Sequence, residues 1–248
     1  MKVLLSPAKK LDFSKTPELK EVNNVVFPQK TAQLQNELKK YSSQEIGQVM
    51  KLSPQLSELN YQRFQMMGSS LNEKGCAGFV FNGEVYSGLD ITSLTKDDLI
   101  EAEEKLRILS GLYGILTPCT LIEPYRLEMG TKLAIGGHKN LYQFWEEDIL
   151  NFIQREESEV IVNLASSEYS KAARLKQFSG KVITPVFKEF KKGDYKVVMV
   201  YAKQARGMMA HWIIKERIQN YQDLKNFNQA GYLFNEELSS EHEWVFTR

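Results

Sequence analysis

The chain has 248 residues, of which 42% are apolar and 25% are charged, as in an ordinary soluble globular protein. No apolar run approaches the roughly 20 residues that a membrane helix needs, and the apolar part of the N-terminus is too short for a signal peptide. Two cysteines, Cys76 and Cys119, exclude a disulfide framework and suit a reducing compartment. We therefore expect a cytoplasmic protein with no membrane partner, folded as a single domain over residues 1–248.

The predicted elements alternate between strands and helices. Short apolar runs predict buried strands at Val3–Leu5, Gly78–Phe81, Val160–Leu164, Val182–Val186 and Val197–Tyr201. Apolar residues at helical spacing predict helices over Thr31–Tyr41, Thr95–Leu109, Asn140–Gln154, Ser166–Phe178 and Ala205–Ile218. Asp12–Lys30 reads as an irregular crossing loop, and Tyr232–Phe234 with Glu243–Phe246 as a closing hairpin. No repeat or linker divides the chain, so we predict a mixed α/β fold with a central sheet flanked by helices.

Residues 42–67 predict two short helices in tandem. Ser42 precedes Glu45 by three residues, which is the pattern of a capping box, and the helix that it starts runs to about Met50. Ser53 and Pro54 start the next helix, with serine as the N-cap and proline in the first turn. The short link between the two helices predicts a helical hairpin projecting from the sheet.

Polar and charged side chains directly follow the predicted strands. In sheets covered by helices, ligand-contacting groups gather beyond the carboxyl ends of strands, so one shared polar site is expected. The candidates for an anionic-ligand pocket are Lys9, Glu84, Tyr86, Tyr125, Arg126, Glu128, Ser166, Lys203 and Arg206. Arg126 and Glu128 alone would fit a structural ion pair. The four cations of the set favour an anion clamp, because the planar fork of arginine suits phosphate and carboxylate.

Other kinds of site find no support in the sequence. There is no phosphate-binding loop and no Gly-x-Gly-x-x-Gly pattern, and the three histidines lack partners at metal-ligand spacing. We expect no metal and no cofactor, and no catalytic residue is assigned. Charge is uneven, since Ser170–Arg217 carries twelve Lys and Arg against three Asp and Glu. This segment fits a polyanionic partner, or a solvated surface whose charges pair across the fold.

Ordered motifs over nearly the whole chain resemble the YaaA family of bacterial peroxide-stress proteins. The similar stretches are Leu5-Ser6-Pro7-Ala8-Lys9, Gly83-Glu84-Val85-Tyr86-Ser87-Gly88-Leu89, Leu109-Ser110-Gly111-Leu112-Tyr113-Gly114, Pro124-Tyr125-Arg126-Leu127-Glu128-Met129-Gly130, Tyr142-Gln143-Phe144-Trp145, Asn163-Leu164-Ala165-Ser166 and Tyr201-Ala202-Lys203-Gln204-Ala205-Arg206-Gly207. The resemblance implies a single mixed α/β domain with a helix-hairpin-helix element, which would fall on about Ser42–Met67. It also implies a role in lowering free iron and limiting oxidative damage to DNA, with binding to double-stranded or branched DNA.

The turn of the implied helix-hairpin-helix differs from the usual pattern. Such a hairpin normally presents backbone N–H groups to phosphate through a glycine-containing turn, whereas Lys51-Leu52-Ser53 has no glycine. We therefore expect side chains to make its DNA contacts, from Lys39, Lys40, Lys51 and Arg63. Two functions stay open: a non-specific DNA-binding protein that protects against peroxide, and an enzyme of unidentified reaction that takes a nucleotide-like or other anionic substrate in the strand-end pocket.

Overall fold

The computed structural model describes residues 1–17 and 22–248, and residues 18–21 of the predicted crossing loop lie outside this part of the chain. The fold is mixed α/β, as predicted. The strands are β1 (Lys2–Leu5), β2 (Lys10–Leu11), β3 (Gly75–Cys76), β4 (Phe81–Asn82), β5 (Leu106–Ser110), β6 (Gly114–Leu116), β7 (Leu121–Ile122), β8 (Val160–Asn163), β9 (Lys181–Lys191), β10 (Asp194–Lys196), β11 (Leu233–Asn235) and β12 (Glu243–Thr247).

Helices surround the sheet. They are α1 (Pro28–Leu38), α2 (Ser43–Met50), α3 (Pro54–Met66), α4 (Ala77–Val80), α5 (Glu84–Leu89), α6 (Lys96–Lys105), α7 (Leu141–Trp145), α8 (Asp148–Arg155), α9 (Ser167–Ala172) and α10 (Met199–Lys215). Short 3-10 turns cover Phe13–Lys15, Ile91–Ser93, Leu175–Gln177, Tyr221–Asn226 and Gln229–Gly231.

The main sheet has eight strands in the order β11-β12-β9-β8-β1-β5-β6, with β10 paired to β9. The five strands from β12 to β5 run parallel to their neighbours, and β6, β10 and β11 are antiparallel to theirs. Val3 pairs with Leu106 on one side and with Val162 on the other, and all three are fully buried. The chain passes from β1 to β5 on one side and from β8 to β9 on the other. Strand order therefore reverses between β1 and β8, where ligand sites form in open α/β sheets.

Two of the predicted strands are wrong. The run Gly78–Phe81 is mostly the single helical turn α4, which is flanked by the two-residue strands β3 and β4. The run Val197–Tyr201 leads into the first turn of α10, where Met199 and Val200 are exposed. A short apolar run does not distinguish a strand from a helical segment by periodicity, so tertiary packing decides. Lys203 and Arg206, predicted to follow a strand, accordingly lie within a helix.

Several helix bounds also differ from the prediction. The segment Thr95–Leu109 is the helix α6 followed directly by β5, because its last apolar residues pair with β1 in the sheet. The segment Asn140–Gln154 is divided into α7 and α8 at Glu146, which has a positive φ of 41°. The closing hairpin is confirmed by the antiparallel pairing of β11 with β12.

The helices α2 and α3 lie where the sequence places them, and we call them the helix pair. The capping box of Ser42 and Glu45 is present, and Ser53 caps α3 through the N–H of Leu56. Lys51 ends α2 in the left-handed conformation, with φ 54° and ψ 53°, and its N–H donates to Gly47 O. A lysine thus occupies the backbone conformation that favours glycine. That the helix pair is a DNA-binding helix-hairpin-helix stays a prediction.

The long helix α10 packs against α5 at a pair of glycines. A Cβ atom at Gly207 would lie 1.9 Å from Val85 O, and one at Gly88 would lie 2.1 Å from Gln204 O. Two glycines facing each other let the helix backbones approach closely, which residues with side chains would prevent. This contact fixes the position of Arg206 relative to the segment that holds Glu84 and Tyr86.

Candidate functional site

The carboxyl ends of β1 and β8 are joined through two serines. Ser166 N donates to Ser6 Oγ at 2.8 Å, and the two hydroxyl oxygens are 3.3 Å apart. The Tyr86 hydroxyl donates to Ser6 O at 3.0 Å from the buried side of α5. These contacts bring two of the predicted site residues, Tyr86 and Ser166, to the loop that continues to Lys9.

Lys9, Arg126 and Glu128 form what we call the strand-end triad. Lys9 Nζ lies 2.6 Å from Glu128 Oε2, and Arg126 Nη2 lies 3.1 Å from Glu128 Oε1. Burial would raise the pKa of Glu128, but hydrogen bonds from Lys9 and Arg126 outweigh it and hold the pKa below its usual value. Two cations share one carboxylate, so the triad keeps a net positive charge, and the Lys9 side chain is 61% exposed.

Close backbone approach places the segment 124–130 over the end of β5. A Cβ at Gly111 would lie 2.3 Å from Leu127 O, so only glycine permits this crossing. The Tyr125 hydroxyl is 2.7 Å from Ser110 Oγ, and Gly130 N donates to Glu168 Oε1 at 2.7 Å. The segment is therefore fixed to both β5 and α9, and Arg126 and Glu128 are held above the strand ends.

Buried tyrosines support this site from below. Burial raises the pKa of Tyr86, Tyr125 and Tyr169 well above the usual value, and the three side chains interact electrostatically. Their hydroxyls therefore stay protonated into the alkaline range, where an ordinary tyrosine ionises. The Tyr86 proton is directed to Ser6 O, and the Tyr169 hydroxyl is bonded to the backbone of Met129. These tyrosines hold the loops in place.

Arg126 has one donor that the protein does not use. Its Nε atom is buried and has no hydrogen-bond partner within residues 1–17 and 22–248. An unpaired buried donor on a charged group is costly, and a bound anion would satisfy it. Arg126 also reaches the helix pair electrostatically: burial lowers the pKa of Arg63, Glu73 raises it, and the charge of Arg126 lowers it further.

A second feature is an open groove of about 1070 Å³, which we call the basic groove and whose lining includes Ala165 and Ser167, the neighbours of Ser166. Its floor includes Val182, Thr184 and Val186 of β9. Its cationic side chains are Lys171, Arg174, Lys176 and Arg206. Burial lowers the pKa of Arg206, and no carboxylate of the described residues forms an ion pair with it. Arg174 pairs with Glu147 at 2.9 Å, at the edge of the groove.

The nine predicted pocket residues are thus distributed over more than one place. Lys9, Arg126 and Glu128 are in direct contact, Tyr86 and Ser166 join them through Ser6, and Tyr125 lies between Arg126 and Ser110. Arg206 belongs to the basic groove. Glu84 and Lys203 are exposed, and no hydrogen bond or ion pair links either to another described residue. Lys171, Arg174 and Lys176 were not predicted individually, although the basic composition of residues 170–217 pointed to them.

The four cations predicted to contact DNA lie at the end of α1 and in the helix pair, and three of them are engaged or partly buried. Lys39 Nζ donates to Met67 O at 2.7 Å, and Lys40 pairs with Glu37 at 2.8 Å. Arg63 is partly buried, whereas Lys51 is exposed at the turn. The end of α3 is tied to the strand-end region, because Gly68 N donates to the buried Glu123 carboxylate at 3.0 Å. Of the four predicted side chains, Lys51 is the one that is exposed and has no ion pair with another described residue.

Together these features define a mixed α/β protein with a cationic strand-end site beside an open basic groove. In the described residues, no helix has the length and apolarity to cross a membrane. Residues 1–238 match the family described as peroxide stress protein YaaA. A protein of Clostridium beijerinckii named UPF0246 protein is 47% identical over all of this chain and 98% of its own length. A UPF0246 protein of Cellvibrio japonicus is 44% identical over 99% of this chain and 97% of its own length. The chain belongs to the peroxide stress protein YaaA family.

Proposed function

We propose that this protein binds DNA without sequence preference in the cytoplasm and thereby limits iron-dependent oxidative damage during peroxide stress. The family supports the stress role, and the basic groove is the observation that carries the DNA-binding proposal. Four cationic side chains line it, and Glu243 is the acidic residue in its lining. Phosphate contacts dominate binding that is independent of sequence, so such a surface suits a nucleic-acid backbone.

Phosphate neutralisation provides a physical route to protection. DNA carries a condensed layer of cations, and a protein that neutralises its phosphates releases them. Fe²⁺ held in that layer reacts with peroxide next to the sugar and bases. Its displacement by Lys and Arg side chains moves the reaction away from the DNA. This route requires the protein to cover phosphates and does not require it to bind iron.

The basic groove is a better candidate for the DNA surface than the helix pair. Lys39 and Lys40, which follow α1, are already engaged by Met67 O and Glu37, and Arg63 of α3 is partly buried. In the basic groove, Lys171 and Lys176 are exposed, and neither has a carboxylate partner within the described residues. We retain Lys51 and Arg63 as secondary contacts, because the turn of the helix pair is exposed.

The test measures binding and protection together. Fluorescence anisotropy with duplexes of unrelated sequence should give similar affinities that fall steeply with salt. Under the same conditions, the protein should reduce nicking of plasmid DNA by Fe²⁺ and peroxide, in proportion to the DNA covered. Duplex affinity that is absent near physiological salt, or insensitive to it, would refute the proposal.

A second candidate function is favoured by the unpaired Nε of Arg126. We propose as the alternative that the strand-end triad binds a small anion, as in an enzyme with a nucleotide-like or other anionic substrate. The support is one buried donor and a net positive charge at the reversal point of strand order. Thermal shifts with inorganic phosphate and nucleoside monophosphates test it. A stabilisation that Arg126→Ala abolishes would favour this function, and none at millimolar ligand would reject it.

A further inference from the structure

Strands β9 and β10 form a tightly turned hairpin that projects beyond the basic groove. Lys191 pairs with Asp194, which leaves a two-residue turn of Lys192 and Gly193. Both turn residues have positive φ, 54° and 82°, as a type I′ hairpin turn requires. The twist of this turn matches that of the two strands.

The hairpin presents two aromatic rings on one face. Phe190 and Tyr195 are direct cross-strand neighbours, with ring centroids 5.2 Å apart and planes inclined by 64°. Burial alternates along β9, where Phe187 and Glu189 point inward and Phe190 is 58% exposed. The inward side is completed by Arg248 and Tyr232, both bonded to Glu189. Phe190 therefore adds little to the core, and more than half of its side chain faces solvent.

Lysines surround the two rings. Lys191 and Lys192 are exposed at the turn, Lys188 precedes Phe190 on the same face of β9, and Lys196 follows Tyr195. Asp194 offsets them weakly, since its carboxylate is 4.0 Å from Lys196 Nζ, and Glu189 is occupied by Arg248. Aromatic rings among lysines are an arrangement that binds single-stranded nucleic acid, with bases stacked on the rings and phosphates held by the lysines.

The same face of β9 continues into the basic groove. Val182, Thr184 and Val186 line its floor, and alternation along the strand places Lys188 and Phe190 on the same side. At about 3.3 Å per residue, Thr184 and Phe190 are separated by roughly 20 Å along the strand. Several nucleotides of an extended nucleic-acid strand fit this distance, with the first phosphate at Arg206 and the last bases on the two rings.

We infer that Phe190 and Tyr195 are a base-stacking site for an unpaired nucleic-acid strand that leaves the basic groove. The inference rests on the proposed function, because it extends phosphate binding in the groove to recognition of exposed bases. Bases in a regular duplex are stacked on each other and do not reach the rings, so the site favours unpaired over paired DNA. Stacking requires only a π-face, so binding is tolerant of sequence.

The test compares an oligothymidine of about 20 nucleotides with a duplex of the same length by fluorescence anisotropy. The double variant Phe190→Ala/Tyr195→Ala should lose about 10-fold to 100-fold in oligothymidine affinity and less than about 2-fold in duplex affinity. Its salt slope should be unchanged, because the lysines remain. Phe190→Trp should retain single-strand binding. Leu233→Ala, at another exposed apolar side chain, is the matched control and should have no effect.

The outcomes separate this inference from the proposed function. If the wild-type protein binds duplex and the double variant has the wild-type affinity for oligothymidine, the stacking site is refuted and the proposed function is left intact. Wild-type protein that binds neither probe at low salt refutes both. The inference is also overturned if the double variant loses equal affinity for both probes. It is overturned as well if the double variant loses self-association while its oligothymidine affinity is unchanged. The hairpin lies outside the core, and circular dichroism checks that each variant is folded.

Discussion

Neutralising the basic groove should flatten the salt dependence of DNA binding by a calculable amount. The perturbation is the triple variant Lys171→Gln/Lys176→Gln/Arg206→Gln, which leaves Arg174 and its pair with Glu147 in place. Each phosphate contact on duplex DNA contributes about −0.9 to the slope of log affinity against log salt. Removal of three contacts should make the slope less negative by about 2.7. Contacts elsewhere contribute equally to both proteins and cancel in this difference.

The same arithmetic gives the change in affinity. Between about 50 and 200 mM salt, four groove contacts would reduce wild-type affinity by roughly 150-fold, and the single remaining contact would reduce it by about 3- to 4-fold. The assay is fluorescence anisotropy with one duplex over that range of salt, at constant pH. The duplex affinities of the wild-type protein and the triple variant should differ most at the low end of this range of salt.

A matched control has the same change in net charge at the helix pair and at Lys40, which precedes it. Lys40→Gln/Lys51→Gln/Arg63→Gln also removes three positive charges, so it reports any general effect of net charge. We expect its slope to change by less than about 1, because Lys40 is paired with Glu37 and Arg63 is partly buried. A groove variant with the wild-type slope would refute the assignment of the basic groove. A larger change of slope in the control variant would assign the DNA-binding surface to the region of the helix pair instead.

Four further predictions concern the strand-end triad and the backbone. Arg126→Ala should abolish protection from peroxide in cells while the melting temperature stays near that of wild type, and unfolding would instead indicate a structural ion pair. The pKa of Glu128 is lowered in the folded protein, so its stabilising contribution is present above pH 4.5 and is lost as pH falls through the folded pKa. The difference in melting temperature between wild type and Glu128→Gln should therefore shrink in that acidic range. Gly207→Ala should destabilise by about 3 kcal/mol or more in urea, because its Cβ would meet Val85 O at 1.9 Å. Lys51→Gly should stabilise by about 0.5–1 kcal/mol in the same assay, since it relieves left-handed strain, and lower stability would contradict this.

Local signals in the sequence were sufficient where a few neighbouring residues determine the structure. The capping box of Ser42 and Glu45 and the Ser53-Pro54 start each depend on contacts within one helical turn, and both helices begin where expected. The strands predicted at Gly78–Phe81 and Val197–Tyr201 are wrong because a short apolar run does not show its period, and the second run is also largely exposed. The Gly88–Gly207 crossing, where α10 packs against α5, joins residues far apart in the sequence.

The site was less predictable than the fold, because its groups come from separate loops. Arg126 and Glu128 are two residues apart, and their pairing follows from an extended backbone. Their contact with Lys9 depends on the parallel pairing of β1 and β5 and on the crossing at Gly111. The basic groove was visible only as an excess of charge. Its shape arises from the short α9 and the exposed face of β9, and neither has a motif.

The pairing of the cations distinguishes the two anion-binding surfaces. A ligand at the strand-end triad competes with the carboxylate of Glu128, which already holds Lys9 at 2.6 Å and Arg126 at 3.1 Å. Such a site gains affinity only from a ligand whose geometry also satisfies the buried Nε of Arg126, and this favours a small, well-fitted anion. Lys171, Lys176 and Arg206 of the basic groove have no such competitor in the described part of the chain and gain from the release of counterions alone. We therefore expect a long polyanion to bind at the basic groove and a selective small anion to bind at the strand ends.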